Sequence, residues 1–192
     1  MILVTGGARS GKSSLAERLA RERGGPVTYI ATAEAGDGEM RERIARHRER
    51  RPESWRTVEA PENLPDAVAE ALGAGCDCGG AGAGGEAGAG GAGLVLIDCL
   101  TVYISNLLVS QGIASSDRAG SAIDREVDRL VEICAGGNGR VIMVSNEVGM
   151  GIVPDNRLAR VFRDAAGRAN QKLAEAAEEV YLCVSGIPLK VK

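Results

Sequence analysis

The sequence predicts an α/β protein, a mainly parallel sheet with helices on both faces. Three observations carry that expectation. Short, nearly continuous apolar runs recur at Ile2–Thr5, Val27–Thr32, Leu94–Leu100, Arg140–Ser145 and Val180–Ser185. Runs of this length without polar alternation suit strands buried on both faces. Segments of helical period lie between them, and such alternation implies layers joined by right-handed crossovers. A glycine-bearing turn leads from the first run directly into the first helical segment.

That turn reads "TGGARSGKSS" and holds Gly6-x-x-x-x-Gly11-Lys12-Ser13. Gly6 and Gly11 permit the backbone angles that aim successive N–H groups at one point. The helix over Ser13–Arg23, beginning near Lys12, adds its unpaired N–H groups and its positive end. Lys12 reaches β- and γ-phosphates, and Ser13 coordinates Mg²⁺. In this strand–loop–helix setting the spacing predicts a triphosphate cradle, a P-loop, rather than a structural turn.

The run Val27–Thr32 supplies the second strand, and Met40–Arg51 a helix charged almost all round. It carries His47, the one histidine of the chain, crowded by Arg43, Arg46, Arg48, Arg50 and Arg51. The bland reading is a solvated helix whose Glu39, Glu42 and Glu49 absorb the charge. The alternative is an anion site, since a triphosphate partner exists. Neighbouring cations favour the neutral imidazole, which can attack an α-phosphate while arginines and Mg²⁺ carry the developing charge. Pro52 stops this helix. Trp55 is expected to pack the helix on the sheet rather than stack a base. Glu59 is either a solvated carboxylate or an acceptor for a guanine edge.

Residues 73–93 hold eleven Gly and six Ala and read as a flexible surface insertion before the third strand, with a lid as the alternative. Strands on both sides are needed for one sheet, so residues 1–192 are expected to form one domain. The run Leu94–Leu100 then carries Asp98 at its end, where a neighbouring strand of a P-loop protein holds Mg²⁺; a turn-capping Asp is the alternative. Asn106 follows without a specific role. Ile123–Cys134 and Arg157–Glu179 are amphipathic helices. Between them Arg140–Ser145 runs into "NEVGMGIVPDN", where Asn146 and Glu147 face the ligand edge and Asp155 or Asn156 caps the next helix. Arg157, Arg160 and Arg163 read first as a solvated stripe.

Composition narrows the function. A net charge of −3 and 3% aromatic residues argue against nucleic-acid binding. No apolar run approaches the roughly 18–20 residues of a membrane span, and "MILVTGGARSGKS" does not read as a signal peptide. The five cysteines are odd in number, and Cys99 and Cys183 lie in apolar runs, so reduced thiols of a cytoplasmic protein are expected. Cys76 and Cys78 are too close for the usual zinc pair.

Together "ILVTGGARSGKS", "YIATAEAGDGEMRERIARHRERRPESWRTVE", "NEVGMGIVPDNRLARVFRDAAGRANQ" and "VYLCVSGIPLKVK" closely resemble the bifunctional adenosylcobinamide kinase / adenosylcobinamide-phosphate guanylyltransferases. The resemblance covers the chain outside residues 73–93 and implies a RecA-like P-loop fold and a homotrimer. It implies phosphorylation of adenosylcobinamide by ATP or GTP. A second step then passes GMP from GTP through a guanylyl-histidine to adenosylcobinamide phosphate, releasing pyrophosphate. On the pattern RIxxHxxxRPxxW the nucleophile falls on His47, with Lys12 as the other catalytic group. Nucleotide contacts fall on Gly6, Gly7, Ala8, Arg9, Ser10, Gly11, Lys12 and Ser13, on Ile30, Ala31 and Thr32, on Arg48, Glu49, Arg50 and Arg51, and on Glu59 and Asp98. Mg²⁺ falls to Ser13 and Asp98.

Overall fold

The computed structural model describes residues 1–34, 38–49, 51–73, 93–110 and 116–192, with the backbone alone at 39, 40, 43, 46, 47 and 116–120. In chain order the elements are β1 (Ile2–Gly6), α1 (Lys12–Arg23), β2 (Val27–Ala31), α2 (Gly38–Glu49), β3 (Arg56–Glu59), α3 (Leu64–Gly73) and β4 (Leu94–Asp98). They continue with α4 (Leu100–Ser110), α5 (Ser116–Gly136), β5 (Val141–Asn146), α6 (Arg157–Ala176), β6 (Glu179–Val184) and β7 (Ile187–Lys190). Among the described residues the strands form one sheet in the order β3-β2-β4-β5-β1-β6-β7. All pairings are parallel except that of β6 with β7.

The five expected strands are all present, and the α/β fold class stands. Each strand sends alternate residues to opposite faces. Ile2 and Val4 of β1, Leu94 and Leu96 of β4, and Ile142 and Val144 of β5 bury against Leu15, Ala16 and Ala20 of α1. Leu3, Val95, Ile97, Val141 and Met143 face the other way. There they meet Leu64 and Val68 of α3, Leu100 and Ile104 of α4, Ile123 and Leu130 of α5, and Ala165 and Leu173 of α6. Burying one such Leu or Ile side chain stabilises the fold by about 1.5–3 kcal/mol.

Several expected boundaries are corrected. The third apolar run stops as a strand at Asp98, and Leu100 already starts α4. The helix from Arg157 ends at Ala176, because Glu179 pairs with Ile2 in β6. The strand at Val27 ends at Ala31, and Thr32 turns away to bond Cys99. Helix α2 ends at Glu49 rather than Arg51, since a residue before proline disfavours helical angles. β3 adds a strand beside β2, so residues 73–93 precede the fourth strand; residues 74–92, with Cys76 and Cys78, lie outside the described residues.

Candidate nucleotide site

The parallel strands end on one edge of the sheet. Read across β1, β5, β4, β2 and β3, their last residues are Gly6, Asn146, Asp98, Ala31 and Glu59. The register keeps them close to level: Gly6 faces Asn146, Asp98 faces Val144, and Ala31 faces both Asp98 and Glu59. Ligands of open α/β sheets bind outside this edge.

The phosphate loop leaves β1 at Gly6, whose φ is +152°. A Cβ there would lie 2.5 Å from the Cys183 carbonyl oxygen and 2.6 Å from Ser10 Oγ, so only glycine fits. Gly11, at φ +91°, is the N-cap of α1, and a Cβ on it would stand 3.1 Å from Gly186 Cα. The tip of the β6–β7 hairpin therefore presses on the loop, and the Gly186 N–H donates to the Ser10 carbonyl at 3.0 Å. Gly7, Ala8 and Arg9 form the exposed crest, with Arg9 in the left-handed region at φ +57°. Lys12 opens α1 with its side chain buried, and its Nζ donates to the Gly7 carbonyl at 3.1 Å. The ammonium thus lies folded across the loop, where a phosphate oxygen can take over from a neutral carbonyl. Ser13 is half-buried in the first turn of the helix.

Asp98 ends β4, which is not the immediate neighbour of β1 as expected; β5 lies between them. The Tyr29 hydroxyl donates to Asp98 Oδ2 at 2.8 Å. Burial, and then the Asp98 charge, push the Tyr29 hydroxyl far above its ordinary range, so it stays a donor. The Arg51 guanidinium carbon sits 3.3 Å from the Tyr29 ring centroid. Its Nε and Nη1 are buried without a hydrogen-bond partner among the described residues.

At the far end of the edge, exposed Arg48 donates from Nη2 to Glu59 Oε1, and the Arg51 N–H bonds the Arg48 carbonyl at 3.1 Å. Glu49 is exposed. Arg50 and the side chains of His47, Arg43 and Arg46 lie outside the described residues. Four strand spacings separate β1 from β3, about 19 Å at ~4.8 Å each. The arginine end of α2 lies beside β3, at the other end of this strand edge from the phosphate loop. Trp55 packs against the core face that holds α1, with Arg21 of α1 5.6 Å from its ring centroid, so its packing partner is α1 where α2 was expected.

The sequence reading missed the polar wiring beneath this edge. Thr32 Oγ1 accepts from the Cys99 N–H and donates to the Cys99 carbonyl, both at 2.8 Å. Asn106 donates to the carbonyls of Thr32 at 2.8 Å and Pro61 at 3.1 Å, tying the end of β2 to the loop after β3. Asn146 donates to Thr101 Oγ1 at 2.8 Å, and the Asn170 amide donates to the Asn146 carbonyl. Tyr29 was hidden in an apolar run that reads as core; Thr32 was expected as a nucleotide contact, but not its bonds to Cys99. Asn156, one of the two expected caps, accepts from the N–H groups of Leu158 and Ala159. Arg160 bonds the carbonyls of Pro154 and Asp155 rather than standing in a solvated stripe. Cys99, Cys134 and Cys183 are free and buried, and burial pushes the Cys134 thiol up to about 12.

Among the described residues no group of three or more His, Cys, Asp or Glu could hold a metal ion. Mg²⁺ bound mainly by phosphate and water needs no such cluster, and the hydroxyl of Ser13 and the carboxylate of Asp98 are the hard oxygen donors it prefers.

The family described as cobinamide kinase / cobinamide phosphate guanyltransferase (CobU) matches residues 2–78 and 86–191. The chain belongs to this family. The match breaks only inside the Gly/Ala-rich segment. The chain is 44% identical to the bifunctional adenosylcobalamin biosynthesis protein CobU of Escherichia coli K12 over 199 aligned residues, spanning 100% of this chain and 99% of that protein. It is likewise 44% identical to CobU of Salmonella typhimurium LT2, over 100% of this chain and 99% of that one. The corresponding protein CobP of Pseudomonas aeruginosa PAO1 is 45% identical, over 99% and 96%.

Proposed function

We propose that this chain carries both activities of its family. It first phosphorylates the terminal hydroxyl of the aminopropanol arm of adenosylcobinamide with ATP or GTP. It then transfers GMP from GTP to the resulting phosphate, giving adenosylcobinamide-GDP and pyrophosphate. The observation that carries this reading is the complete phosphate cradle, with buried Lys12 lying across Gly7, in a member of that family.

In the first reaction the hydroxyl oxygen bonds the γ-phosphorus, the bridge to the β-phosphate breaks, and the hydroxyl proton leaves. Such transfers rely on positioning and charge neutralisation. The loop N–H groups, the α1 N-terminus and Lys12 supply these. In the second reaction a His47 ring nitrogen attacks the α-phosphorus and pyrophosphate departs; the corrinoid phosphate then attacks the same phosphorus and regenerates His47. Covalent catalysis splits one displacement into two and keeps GMP activated between them. Arg48 and Arg51, close to His47 in the chain, would bind anionic oxygen, and Glu59 would accept from a guanine edge. Ser13 and Asp98 would hold Mg²⁺, which neutralises phosphate charge when bound.

Copies of the chain assemble as a homotrimer. The exposed apolar side chains of Met150, Ile152 and Val153 and of Ile187 and Leu189 support such association. No described helix is long and apolar enough to cross a membrane. Free buried thiols fit the reducing cytoplasm.

Incubation with α-labelled GTP tests the central step. Acid-labile, base-stable label on the protein, lost in His47→Ala, is the expected result. A wild-type protein that stays unlabelled rules out the covalent route and leaves a plain P-loop kinase.

A further inference from the structure

Tyr29, on β2, touches both Asp98 at the end of β4 and Arg51 after α2. Its ring is 2% exposed and packs with Val27, Leu94 and Leu96 on the α1 side of the sheet. A tyrosine buried this deeply for packing alone needs only some acceptor for its hydroxyl. Here the acceptor is the Asp98 carboxylate, at 2.8 Å. The opposite demand comes from Arg51, which follows the C-terminal end of α2. Its guanidinium lies 3.3 Å from the Tyr29 ring centroid, while Nε and Nη1 are buried with no hydrogen-bond partner among the described residues. Buried donors without acceptors are rare and costly. Stacking on the electron-rich ring offsets part of that cost and holds the plane of the guanidinium still. An acceptor brought to this end of the site would satisfy donors that the described residues leave unsatisfied.

We propose that Tyr29 is a positioning residue for both transfers. Its hydroxyl fixes the rotation of the Asp98 carboxylate, and its ring fixes the plane of the Arg51 guanidinium. Both effects act on the same bound nucleotide. The inference rests on the reading of Asp98 as the Mg²⁺ carboxylate and of Arg51 as a nucleotide contact.

The two functions separate by substitution. Tyr29→Phe keeps the ring and removes the hydroxyl; Tyr29→Leu removes both. GTP affinity is measured by calorimetry on the full chain, with Mg²⁺ and with chelator, for these variants, Asp98→Asn and the Tyr29→Phe/Asp98→Asn pair. Thermal midpoints are followed alongside. Tyr29→Phe should bind GTP normally with chelator and lose about tenfold of the gain that Mg²⁺ gives, the size of one hydrogen bond to a charged group. In the Asp98→Asn background it should cost nothing further. Tyr29→Leu should also weaken binding with chelator, by about fivefold, as expected for a lost cation–π contact.

Full Mg²⁺ gain in Tyr29→Phe, or an equal further loss from Tyr29→Phe in the Asp98→Asn background, overturns the hydroxyl's role. Equal chelator affinities of the Phe and Leu variants overturn the ring's role. A full Mg²⁺ gain in Asp98→Asn itself sinks the underlying assignment of Asp98 and the hydroxyl's role with it. It leaves the Arg51 arm to be decided by the chelator data.

Discussion

Adding one methyl group at Gly6 separates a required glycine from an incidental one. At Gly6 the new Cβ would sit 2.5 Å from a β6 carbonyl oxygen and 2.6 Å from Ser10 Oγ, both closer than the 3.0 Å below which something must shift. The carbonyl belongs to Cys183, which pairs with Gly6 in the sheet, so relief means opening β1 from β6 by at least half an ångström. Overpacking of this kind costs about 1–3 kcal/mol. The φ of +152° adds about 1–3 kcal/mol for a residue with a side chain. Against a total stability of about 5–15 kcal/mol, the combined loss of about 2–6 kcal/mol is large. For a chain of this size it lowers the thermal midpoint by about 5–20 °C. At Gly7 an added Cβ meets nothing within 4 Å, so Gly7→Ala should change stability by no more than about 1 kcal/mol. Far-UV circular dichroism melts and calorimetric GTP binding read both variants. A Gly6→Ala protein melting within about 2 °C of Gly7→Ala and binding GTP as well would show that the loop tolerates a side chain there and that these contacts do not define the cradle.

Lys12→Ala should reduce both the kinase and the guanylyltransferase rates by about a hundredfold or more, as for removal of one preorganised charge donor. Normal guanylylation in that variant would confine the phosphate loop to the kinase step. Asn156→Ala removes the cap of α6 and should cost about 1 kcal/mol in urea unfolding; no change would mean the Arg160 bonds to the preceding turn suffice. Cys134 gives a pH dependence. Its folded value is raised to about 12, so between the ordinary thiol value and that point the folded chain holds a proton the unfolded chain has lost. Stability therefore falls as pH rises through this window, by about 1.4 kcal/mol per pH unit for this thiol. Cys134→Val should flatten that slope in urea midpoints measured from pH 8 upward, and an unchanged slope would assign the loss elsewhere.

The elements legible in the sequence were those whose side chains are buried on both faces. β1, β2, β4, β5 and β6 are apolar because α1 covers one side and α3 to α6 the other. β3 and β7 escaped for the converse reason. Arg56, Thr57 and Glu59 are exposed, as is every residue of β7, and their strands form through backbone pairing to one neighbour. Pro188 is tolerated in β7 because the strand is an edge. α4 was masked by β-branched and apolar residues that continue the strand's composition, although Leu100, Tyr103, Ile104 and Leu107 bury one helical face. In the site, the phosphate loop was legible because backbone geometry demands glycine at Gly6 and Gly11. Tyr29 was not, since the partner that gives it a role, Asp98, lies 69 positions away in the chain. The contact between Gly186 and the loop was equally invisible, being a matter of which strand lies beside β1 rather than of any local pattern.

That placement also sets an order of events during synthesis. β1 leaves the ribosome before both of its neighbours, β5 and β6, which begin at Val141 and Glu179. At ~5–20 residues per second the strand waits about 7–27 s for its first partner. Until then both its edges are open to other chains, which is the hazard that unpaired strands present. The loop at its end stays without the Gly186 brace for longer still, so the nascent chain has no finished cradle with which nucleotide could stabilise it. The strand that carries the phosphate loop is thus paired, and its loop braced, only by segments made more than a hundred residues later.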